Sequence, residues 1–413
     1  MLMQQSAPAV RRLLSAAGVR ERAHELLAIA EADGLSDWTV NLDRLAPTAD
    51  FVAEVIRRQY PSLDVPFHAR WRHFSVGGRD LWGEIAGLTR WPDAAAKARA
   101  GFDLAIVSVL LDAGAGPDWR YVDQATSVTS TRSEGLAVAS LRLFESGELS
   151  GDPADPLRAD ASRLSTLQAE TLAQAFQASD DNPLIGLDGR AALLRRLGDQ
   201  AQARPDLFAR AGSARPGGLY DEMAARAGGN RLPAAVILEV LLEALGPIWV
   251  DRLTLEGIPL GDCWRHPALK RDDHTNGLVP LHKLSQWLAY SLIEPLQDSG
   301  IEVADIDGLT GLAEYRNGGL FYDMGLLQLR DAADAHRVHE VSQPLVVGWR
   351  ALTVALLDRI APLVRERLGV QADAFPLARV LEGGTWAAGR AVAREKRADG
   401  GPPFKINSDG TVF

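Results

Sequence analysis

The chain has 413 residues, of which 46% are hydrophobic and 24% are charged, close to the average for globular proteins. A net charge of −10 argues against a broad nucleic-acid surface, which would need an excess of basic side chains. The single cysteine, Cys263, excludes an internal disulfide and a zinc site built on several thiolates.

The length is ample for a sizeable core and fits two or three units of roughly 150 residues. No apolar run reaches the ~18 residues that a membrane span requires. Residues 1–9 lack the basic and apolar segments of a signal peptide. We therefore expect a cytoplasmic protein with neither a membrane nor a nucleic acid as its partner.

Helical patterns dominate the first half of the chain. Ser15 is placed to cap a helix that ends at Gly34, and Thr48 to open another that ends at Tyr60. Residues 65–74 instead alternate apolar or aromatic with basic side chains, which together with Gly77-Gly78 predicts a short strand and a turn. Further helices are predicted over Pro92–Leu111, Ser133–Phe144, Ser162–Ala178 and Gly189–Leu197, the last capped by Asp188.

The second half begins with a stretch rich in Arg, Pro and Gly, from Ala201 to Gly218. We interpret residues 1–413 as one unit, with 1–215 and 216–413 as candidate helical lobes and most of the site in the second. Leu232–Leu245 is apolar nearly all round, which is typical of a helix inside a core.

Two long helical stretches precede the C-terminus. Pro344–Leu368 is amphipathic, and Phe375–Arg397 is broken at Gly383-Gly384, after which Thr385 is the predicted N-cap. Pro402 to Phe413 predicts a small hairpin whose last residue docks in an apolar slot and closes the pocket. The fold class is therefore mainly α, a multi-helical globular fold with a few short β pieces.

Between these helices, Gly257 to Asp323 mixes carboxylates, imidazoles, guanidinium groups and indoles on short segments broken by Gly and Pro. Each buried polar group needs a hydrogen-bond partner, so such a mixture is costly to bury without a function. We interpret this stretch as the floor of a ligand site. Phosphate-loop, dinucleotide, zincin and serine-hydrolase motifs are absent from the sequence, and we expect neither a metal nor a cofactor.

Three segments are specific enough to indicate a family: Val65–Phe74, Glu314–Asp323, and the run Phe375–Trp386 together with Ser408–Phe413. On these segments the whole sequence resembles the uracil-catabolism family often called "uracil catabolism protein four" or "uracil-regulated protein three". The helical layout is more weakly similar to the queuosine-salvage nucleoside hydrolases and to helical DNA-glycosylase-like folds.

The resemblance implies a role in a pathway that opens uracil at the nucleotide level and finally releases urea. It also implies an enzyme that hydrolyses an N-glycosidic bond, splitting ribosylurea or its 5′-phosphate into urea and the sugar. The alternative is a non-catalytic helical protein that binds a pathway intermediate or docks a partner enzyme.

Cleavage of an N-glycosidic bond passes through a ribosyl cation, which a nearby carboxylate stabilises while an acid protonates the leaving group. The candidate catalytic carboxylates, in order of preference, are Asp262, Glu314 and Asp323. Asp262 comes first because it lies on a predicted loop, where functional residues concentrate. For each of the three taken alone, a structural role is the favoured interpretation, and for Glu314 the alternative is an ion pair with Arg316 or with a neighbouring helix.

Ribose hydroxyls and a urea group need amides, imidazoles and planar donors. A predicted helix over Val279–Gln297 places His282 and Gln286 one turn apart beside Lys283 and Trp287, although a partly exposed helix edge is the plain alternative. The other candidate binding residues of this stretch are Trp264, Arg265, His266, Tyr315, Arg316 and Asn317.

A 5′-phosphate would need a helix N-terminus or fixed positive charge. The predicted helix start after Gly383-Gly384 offers backbone N–H groups, unless the glycine pair merely turns the chain. The candidates at this helix start are Glu382, Gly383, Gly384, Thr385 and Trp386. Those in the basic segment are His68, Arg70, Trp71, Arg72 and His73.

Four segments carry these candidates: Val65–Phe74, Gly261–His266, His282–Trp287 and Glu314–Asp323. If the protein is an enzyme, we expect them to line one enclosed pocket that holds a carboxylate. A binding protein would leave the same segments scattered along a groove.

Overall fold

The computed structural model describes residues 8–112, 114–209 and 212–407, and its elements are mainly helical. The mainly α class predicted from the sequence is confirmed, since the strands are two or three residues long and pair two by two. Within the described residues, no helix is long and apolar enough to cross a membrane.

The first helices in chain order are α1 (Pro8–Leu13), α2 (Ala16–Glu31), α3 (Leu45–Gln59), α4 (Leu81–Leu88), α5 (Ala94–Leu110), α6 (Arg132–Glu145), α7 (Ala161–Leu164), α8 (Ala169–Ala175) and α9 (Leu187–Ala203). They are followed by α10 (Pro205–Phe208), α11 (Gly218–Arg226), α12 (Ala234–Leu245), α13 (Lys283–Asp298), α14 (Tyr315–Asp323), α15 (Pro344–Leu368), α16 (Leu377–Arg379) and α17 (Ala387–Lys396). A π-helix, Val380–Trp386, joins α16 to α17. Short 3-10 helices span Leu42–Arg44, Arg70–Phe74, Gly246–Ile248, Ile306–Gly308 and Ala332–His336.

The antiparallel strand pairs are β1 (Trp38–Val40) with β12 (Leu327–Leu329), β2 (Ser75–Val76) with β3 (Arg79–Asp80), β4 (Tyr121–Asp123) with β5 (Val128–Ser130), β7 (Thr254–Leu255) with β8 (Ile258–Pro259), and β9 (Cys263–Arg265) with β10 (Leu278–Pro280). The parallel pairs are β6 (Arg231–Pro233) with β11 (Glu302–Ala304) and β13 (Val338–Glu340) with β14 (Lys405–Asn407).

The chain forms two compact units, each assembled from non-contiguous segments. The first unit comprises Met1–His68, Asp251–Gln286 and Asp305–Phe413. The second comprises Ala69–Val250 and Trp287–Ala304. The lobe boundary proposed near residue 215 lies within the second unit, and the division into sequential lobes stays a prediction.

Helix α15 is the centre of the first unit, where it packs on α2, α3 and α14. Apolar side chains of α2 and α3 recur at helical spacing and are buried, as expected for helices that turn one face to a core. The predicted cap of α2 is confirmed, because the Ser15 hydroxyl accepts a hydrogen bond from the Gly18 N–H at 3.1 Å.

Helix α5 is the centre of the second unit and packs on α6 and α11. Its C-terminal half, from Ala98 to Leu110, is buried almost without interruption. The core position predicted for Leu232–Leu245 is also confirmed, since most side chains of α12 are buried.

The strand predicted over residues 65–74 is wrong, because Arg70–Phe74 is a 3-10 helix. Two N–H groups of this segment donate to Ser291 of α13 rather than to a neighbouring strand. The Arg70 backbone N–H donates to the Ser291 hydroxyl at 2.9 Å, and the Trp71 indole N–H donates to the Ser291 carbonyl at 2.6 Å. The turn at Gly77-Gly78 is confirmed, since it joins β2 to β3.

The break predicted at Gly383-Gly384 is wrong, and Thr385 is not an N-cap, because all three residues lie inside the π-helix. The glycines serve close packing, Gly384 against α3 and Gly383 against the segment that follows α3. An added Cβ would lie 2.9 Å from Val65 Cγ1 at Gly383, and 3.0 Å from Val52 Cγ1 at Gly384.

Smaller boundaries also differ from the prediction, since α3 begins at Leu45 rather than at Thr48, and α13 begins at Lys283 rather than at Val279. The helix expected over Ser162–Ala178 is divided into α7 and α8, and α9 begins before Asp188, because Gly186 occupies the cap position at a φ of 74°.

The predicted strand near Phe404 is present as β14, which pairs with β13. Phe404 itself is buried against Trp38 and Trp349, with ring centroids 6.0 and 4.5 Å away. The rest of the predicted hairpin, including the docking of Phe413, lies outside the described residues.

Candidate functional site

Asp262 lies in the first unit, directly before β9, and each of its carboxylate oxygens has fixed donors. Arg350, from the buried face of α15, donates to both oxygens at 2.8 and 2.7 Å. The Trp264 indole N–H donates to Oδ1 at 2.6 Å and the Lys283 backbone N–H to Oδ2 at 2.9 Å. Burial alone would raise the pKa of Asp262, but the Arg350 charge and these hydrogen bonds hold the pKa well below its usual range. These contacts account for Asp262 as a structural carboxylate that fixes the loop before β9 to α15.

Glu314 and Asp323 stand at the two ends of α14 and are also engaged. Glu314 is the N-cap, and its carboxylate accepts from the backbone N–H groups of Asn317 and Arg316 at 2.7 and 2.9 Å. Asp323 accepts two hydrogen bonds from Arg397 at 2.7 and 2.6 Å. A structural role explains both side chains, and the catalytic roles of all three carboxylates stay predictions.

The residues around β9 and β10 divide between surface and core. Arg265 donates to the exposed Asn276 carbonyl, and the Arg252 guanidinium stacks on the Trp264 ring at 5.2 Å. His266 is buried, accepts from the Ala268 N–H at 3.2 Å, and has its pKa lowered by burial. It is therefore a neutral imidazole near pH 7 and packs beside Gly348 of α15.

His282 and Gln286 lie inside the first unit rather than on an exposed helix edge. His282 precedes α13 at a φ of 46°, and its Nε2 lies 2.8 Å from the Leu13 carbonyl. Burial lowers the pKa of His282, although the hydrogen bond to Leu13 opposes the shift. Gln286 donates to the Thr310 hydroxyl at 2.7 Å.

Five predicted site residues belong to the second unit: Arg70, Trp71, Arg72, His73 and Trp287. Arg70 is fully buried and pairs with Asp112 at 3.2 Å, and its guanidinium lies 5.5 Å from the centroid of the Trp287 ring. His73 meets the same ring edge-on at 5.7 Å. Burial lowers the pKa of Arg70, and the Asp112 charge opposes this shift.

The arrangement in the first unit with the clearest chemical potential joins His68 to Glu382. His68 Nδ1 lies 2.6 Å from Glu382 Oε2, and both side chains are largely buried. The His68 ring lies 5.9 Å from the Trp386 ring, which Arg390 covers at 4.8 Å. We call these four residues the His68 cluster.

The backbone under this cluster is a π-helix, a rare conformation that is frequent at functional sites. It places Glu382 and Trp386 one turn apart, and the His68 N–H donates to the Ala378 carbonyl at 3.0 Å, which holds the two segments together. Within the described residues, the buried Oγ1 of Thr385 and Nε of Arg379 have no hydrogen-bond partner. Such atoms are uncommon in native proteins and often mark a functional region.

Helix α14 brings Tyr315, Arg316 and Asn317 next to the π-helix and α17. The Arg316 guanidinium lies 4.8 Å from the Tyr315 ring and donates to the Gly400 carbonyl at 2.7 Å. Gly389 permits this approach, since an added Cβ would lie 2.2 Å from the Arg316 carbonyl oxygen. Asn317 is fully buried, and its Oδ1 has no partner among the described residues.

Two features of the site do not follow from the sequence patterns. Arg350 lies on a helix whose pattern indicates packing, although a lone arginine among Val, Trp, Ala and Leu is the signal of a buried ion pair. From the sequence, Glu382 and His68 are separate candidates for phosphate binding. They are 314 positions apart, and no local pattern in the sequence indicates that they are in contact. No cluster of three or more potential metal ligands occurs in the described part of the chain.

Comparison with known proteins gives consistent matches over the full length. The family described as "Protein of unknown function (DUF1688)" matches residues 12–413. The chain is 39% identical to "Protein urg3" of Schizosaccharomyces pombe, with 99% of this chain and 100% of the relative covered. It is 36% identical to "Uracil catabolism protein 4" of Lachancea kluyveri, with 97% of this chain and 98% of the relative covered. The resemblance derived from the sequence is therefore confirmed.

Proposed function

We propose a function on the premise that this chain belongs to the family described as "Protein of unknown function (DUF1688)". The protein takes part in uracil catabolism by hydrolysing the N-glycosidic bond of a ureido-ribose compound, ribosylurea or its 5′-phosphate. The pathway rests on the name of the Lachancea kluyveri relative, "Uracil catabolism protein 4", which matches this chain nearly end to end. The reaction rests on the chemistry of the His68 cluster.

The observation that carries the reaction is the contact of 2.6 Å between His68 Nδ1 and Glu382 Oε2 on the π-helix. An N-glycosidase needs negative charge beside the developing ribosyl cation and a group that moves a proton to the departing nitrogen. A carboxylate supplies the first and an imidazole the second. Since each is fixed by the other, the pair is held in place before substrate binds.

The reaction then balances as follows. The C1′–N bond breaks, and the carboxylate of Glu382 stabilises the positive charge that forms on the ribosyl C1′ and ring oxygen. The ureido nitrogen takes a proton from the His68–Glu382 pair and leaves as urea. Water adds to C1′ and returns its proton to the pair, so that the products are urea and the free sugar.

The surroundings of the pair fit this role. The side chains of His68 and Glu382 are 6% and 14% exposed, and such shielding from water strengthens electrostatic effects on the reacting atoms. Arg379 and Arg390 place two guanidinium groups on the same helical segment, each stacked on an aromatic ring. They are the groups that a 5′-phosphate would contact if the phosphorylated compound is the substrate.

The test is a urea-release assay with the purified protein, using ribosylurea and its 5′-phosphate in parallel. Glu382→Gln should lower the rate by about 10²–10⁴-fold, the usual loss when acid–base catalysis is removed. The matched control is Glu256→Gln, because Glu256 also contacts an imidazole, that of the exposed His274 at 3.1 Å, away from the π-helix. The control should retain the wild-type rate.

Three outcomes separate the hypotheses. Urea release that falls only in Glu382→Gln supports the proposal. Wild-type rates in Glu382→Gln move the chemistry to another carboxylate, with Asp262 next. Saturable binding of either compound without any urea release identifies the protein as the non-catalytic binding protein instead.

A further inference from the structure

The second unit contains a cleft of about 590 Å³ that the proposed reaction does not use. It opens between α4, the start of α5 and the C-terminal half of α13, and all of its lining residues belong to this unit. Its volume lies in the range of small-molecule sites in proteins.

Three tryptophans form one continuous side of the cleft. The Trp71 and Trp82 rings lie 5.9 Å apart, and the Trp82 and Trp91 rings 6.4 Å apart. The two spacings leave no room for a ligand between the rings, so a ligand must lie against this side. Small residues also line the cleft, among them Gly83, Ala86, Gly87 and Gly101. A flat ligand gains most from such a surface, because its whole face stacks on indole.

The charges of the cleft are already compensated. Arg72 pairs with Glu294 at 2.5 Å, and Lys97 pairs with Asp298 at 3.0 Å. The remaining charged group, Asp80, is the N-cap of α4 and accepts from the Gly83 N–H. A phosphate would meet no uncompensated cation here and would be repelled by Asp80, so an uncharged ligand fits best.

The Arg72–Glu294 pair also presents hydrogen-bonding atoms that the described residues leave unused. Both side chains line the cleft and are 31% and 32% exposed, and the hydrogen bond between them joins an Arg72 terminal nitrogen to Glu294 Oε2, which leaves guanidinium N–H groups and Oε1 for a ligand. A donor and an acceptor therefore stand side by side at the edge of an aromatic surface. Burial raises the pKa of Glu294, although the Arg72 charge opposes this shift, which is consistent with a poorly solvated position.

We propose that this cleft binds a flat, uncharged small molecule whose edge carries adjacent C=O and N–H groups, a ureido group or a cyclic imide such as a pyrimidine ring. The ligand lies against Trp71, Trp82 and Trp91, its carbonyl accepts from Arg72, and its N–H donates to Glu294. The inference goes beyond the proposed hydrolysis, because it concerns binding in the second unit and involves no bond cleavage.

The experiment measures quenching of tryptophan fluorescence and the heat of binding for the full chain. Uracil probes the cyclic imide, N-methylurea the acyclic ureido group, uridine 5′-monophosphate the phosphorylated ligand, and tetramethylammonium a simple cation. Uracil or N-methylurea should bind saturably, and the nucleotide should bind at least about tenfold more weakly than uracil. If neither neutral probe binds, or if the nucleotide or the cation binds as well as they do, the proposal is overturned.

The variants are chosen to separate loss of the ligand from loss of the fold. Glu294→Gln keeps the shape of the side chain but turns an amide N–H₂ toward the ligand, and should weaken binding about tenfold or more. The matched control is Glu84→Gln, because Glu84 forms a similar ion pair with Arg79 outside the cleft, and it should bind as the wild type does. Trp82→Ala, checked by its melting temperature, should weaken binding by a similar factor.

Equal affinity in Glu294→Gln and Glu84→Gln would refute the assignment. The proposed hydrolysis at Glu382 and the proposed binding in this cleft can each be refuted without affecting the other. Glu382→Gln should lose urea release and keep uracil binding, since Glu382 does not line the cleft.

Discussion

Asp262 and Glu382 are both carboxylates of the first unit that contact a nitrogen-bearing side chain, Arg350 and His68 respectively, and the two partners differ in chemistry. Asp262 faces a guanidinium that does not release its proton, and two further donors fill its oxygens. Glu382 contacts the His68 imidazole at 2.6 Å and stands on a backbone in π-helical conformation.

If Glu382 is the reactive carboxylate, as we propose, then the partner rather than the carboxylate distinguishes a structural anchor from a reactive group. A buried carboxylate whose donors are all fixed is stable as an anion and accepts a proton poorly. A carboxylate hydrogen-bonded to an imidazole has a neighbour of the kind that acts as a general acid or base in enzymes. Variants that each remove one of these features test whether the two carboxylates differ in this way.

The largest expected effect is that of Asp262→Asn on stability. The substitution leaves Arg350, whose side chain is 1% exposed, without its counter-ion, and loss of one partner of a buried ion pair destabilises by about 3–5 kcal/mol. Guanidinium chloride unfolding measures the loss, with Glu256→Gln as the exposed control. A stable Asp262→Asn protein that releases urea at least about 100-fold more slowly would instead support the catalytic role ranked first from the sequence.

The next effect concerns pH, where Asp262 has a counterpart in the second unit. Burial raises the pKa of Asp103 to about 6, against the opposing charge of Arg215 at 3.4 Å. This folded-state pKa exceeds the unfolded value of about 3.9. The contribution of Asp103 to the free energy of unfolding is therefore fully present below about pH 4 and is lost as the pH rises through 6. The loss amounts to at most about 3 kcal/mol, because a tenfold change in a protonation equilibrium corresponds to roughly 1.4 kcal/mol.

Asp262 should behave in the opposite way. Its folded pKa is lowered, so its contribution is present above the unfolded value of about 3.9 and is lost as the pH falls toward the folded value. Unfolding free energies of the wild type, Asp103→Asn and Asp262→Asn between pH 3 and 8 measure both slopes. If the wild type and Asp103→Asn show parallel pH profiles, Asp103 does not titrate in this range.

The smallest effect tests the packing under Glu382. Gly383→Ala places a Cβ 2.9 Å from Val65 Cγ1 and 3.1 Å from the Tyr60 ring, and overpacking of this kind destabilises by about 1–3 kcal/mol. Since the π-helix must shift to relieve the contact, urea release should fall as well. Melting temperature and urea release are measured together.

Gly189→Ala is the matched control, because Gly189 lies in α9 with no atom near its added Cβ. It should stabilise by roughly 0.5–1 kcal/mol through helix propensity. Normal urea release by a destabilised Gly383→Ala protein would show that the π-helical backbone has no part in the site.

The sequence by itself determined the family, the mainly α class and the elements whose signals are local. Ser15 caps α2, the apolar residues of α12 enter the core, and Gly77-Gly78 turns a hairpin, because caps, periodicity and turns depend on neighbours a few residues away. The sequence also identified the residue types that occupy the site, including His68 and Glu382.

Which of these residues are in contact depends on the tertiary structure. Asp262 is joined to Arg350 across 88 positions and His68 to Glu382 across 314, and nothing local encodes such pairs. The same reason explains the errors over residues 65–74 and at Gly383-Gly384. Over residues 65–74, a hydrogen bond from the Arg70 backbone to a distant segment overrides the local alternation of apolar and basic residues. At Gly383-Gly384, close packing with residues far away in sequence overrides the tendency of a glycine pair to end a helix. Propensity acts over one or two turns, whereas ion pairs and close packing depend on distances that are set when the whole chain has folded.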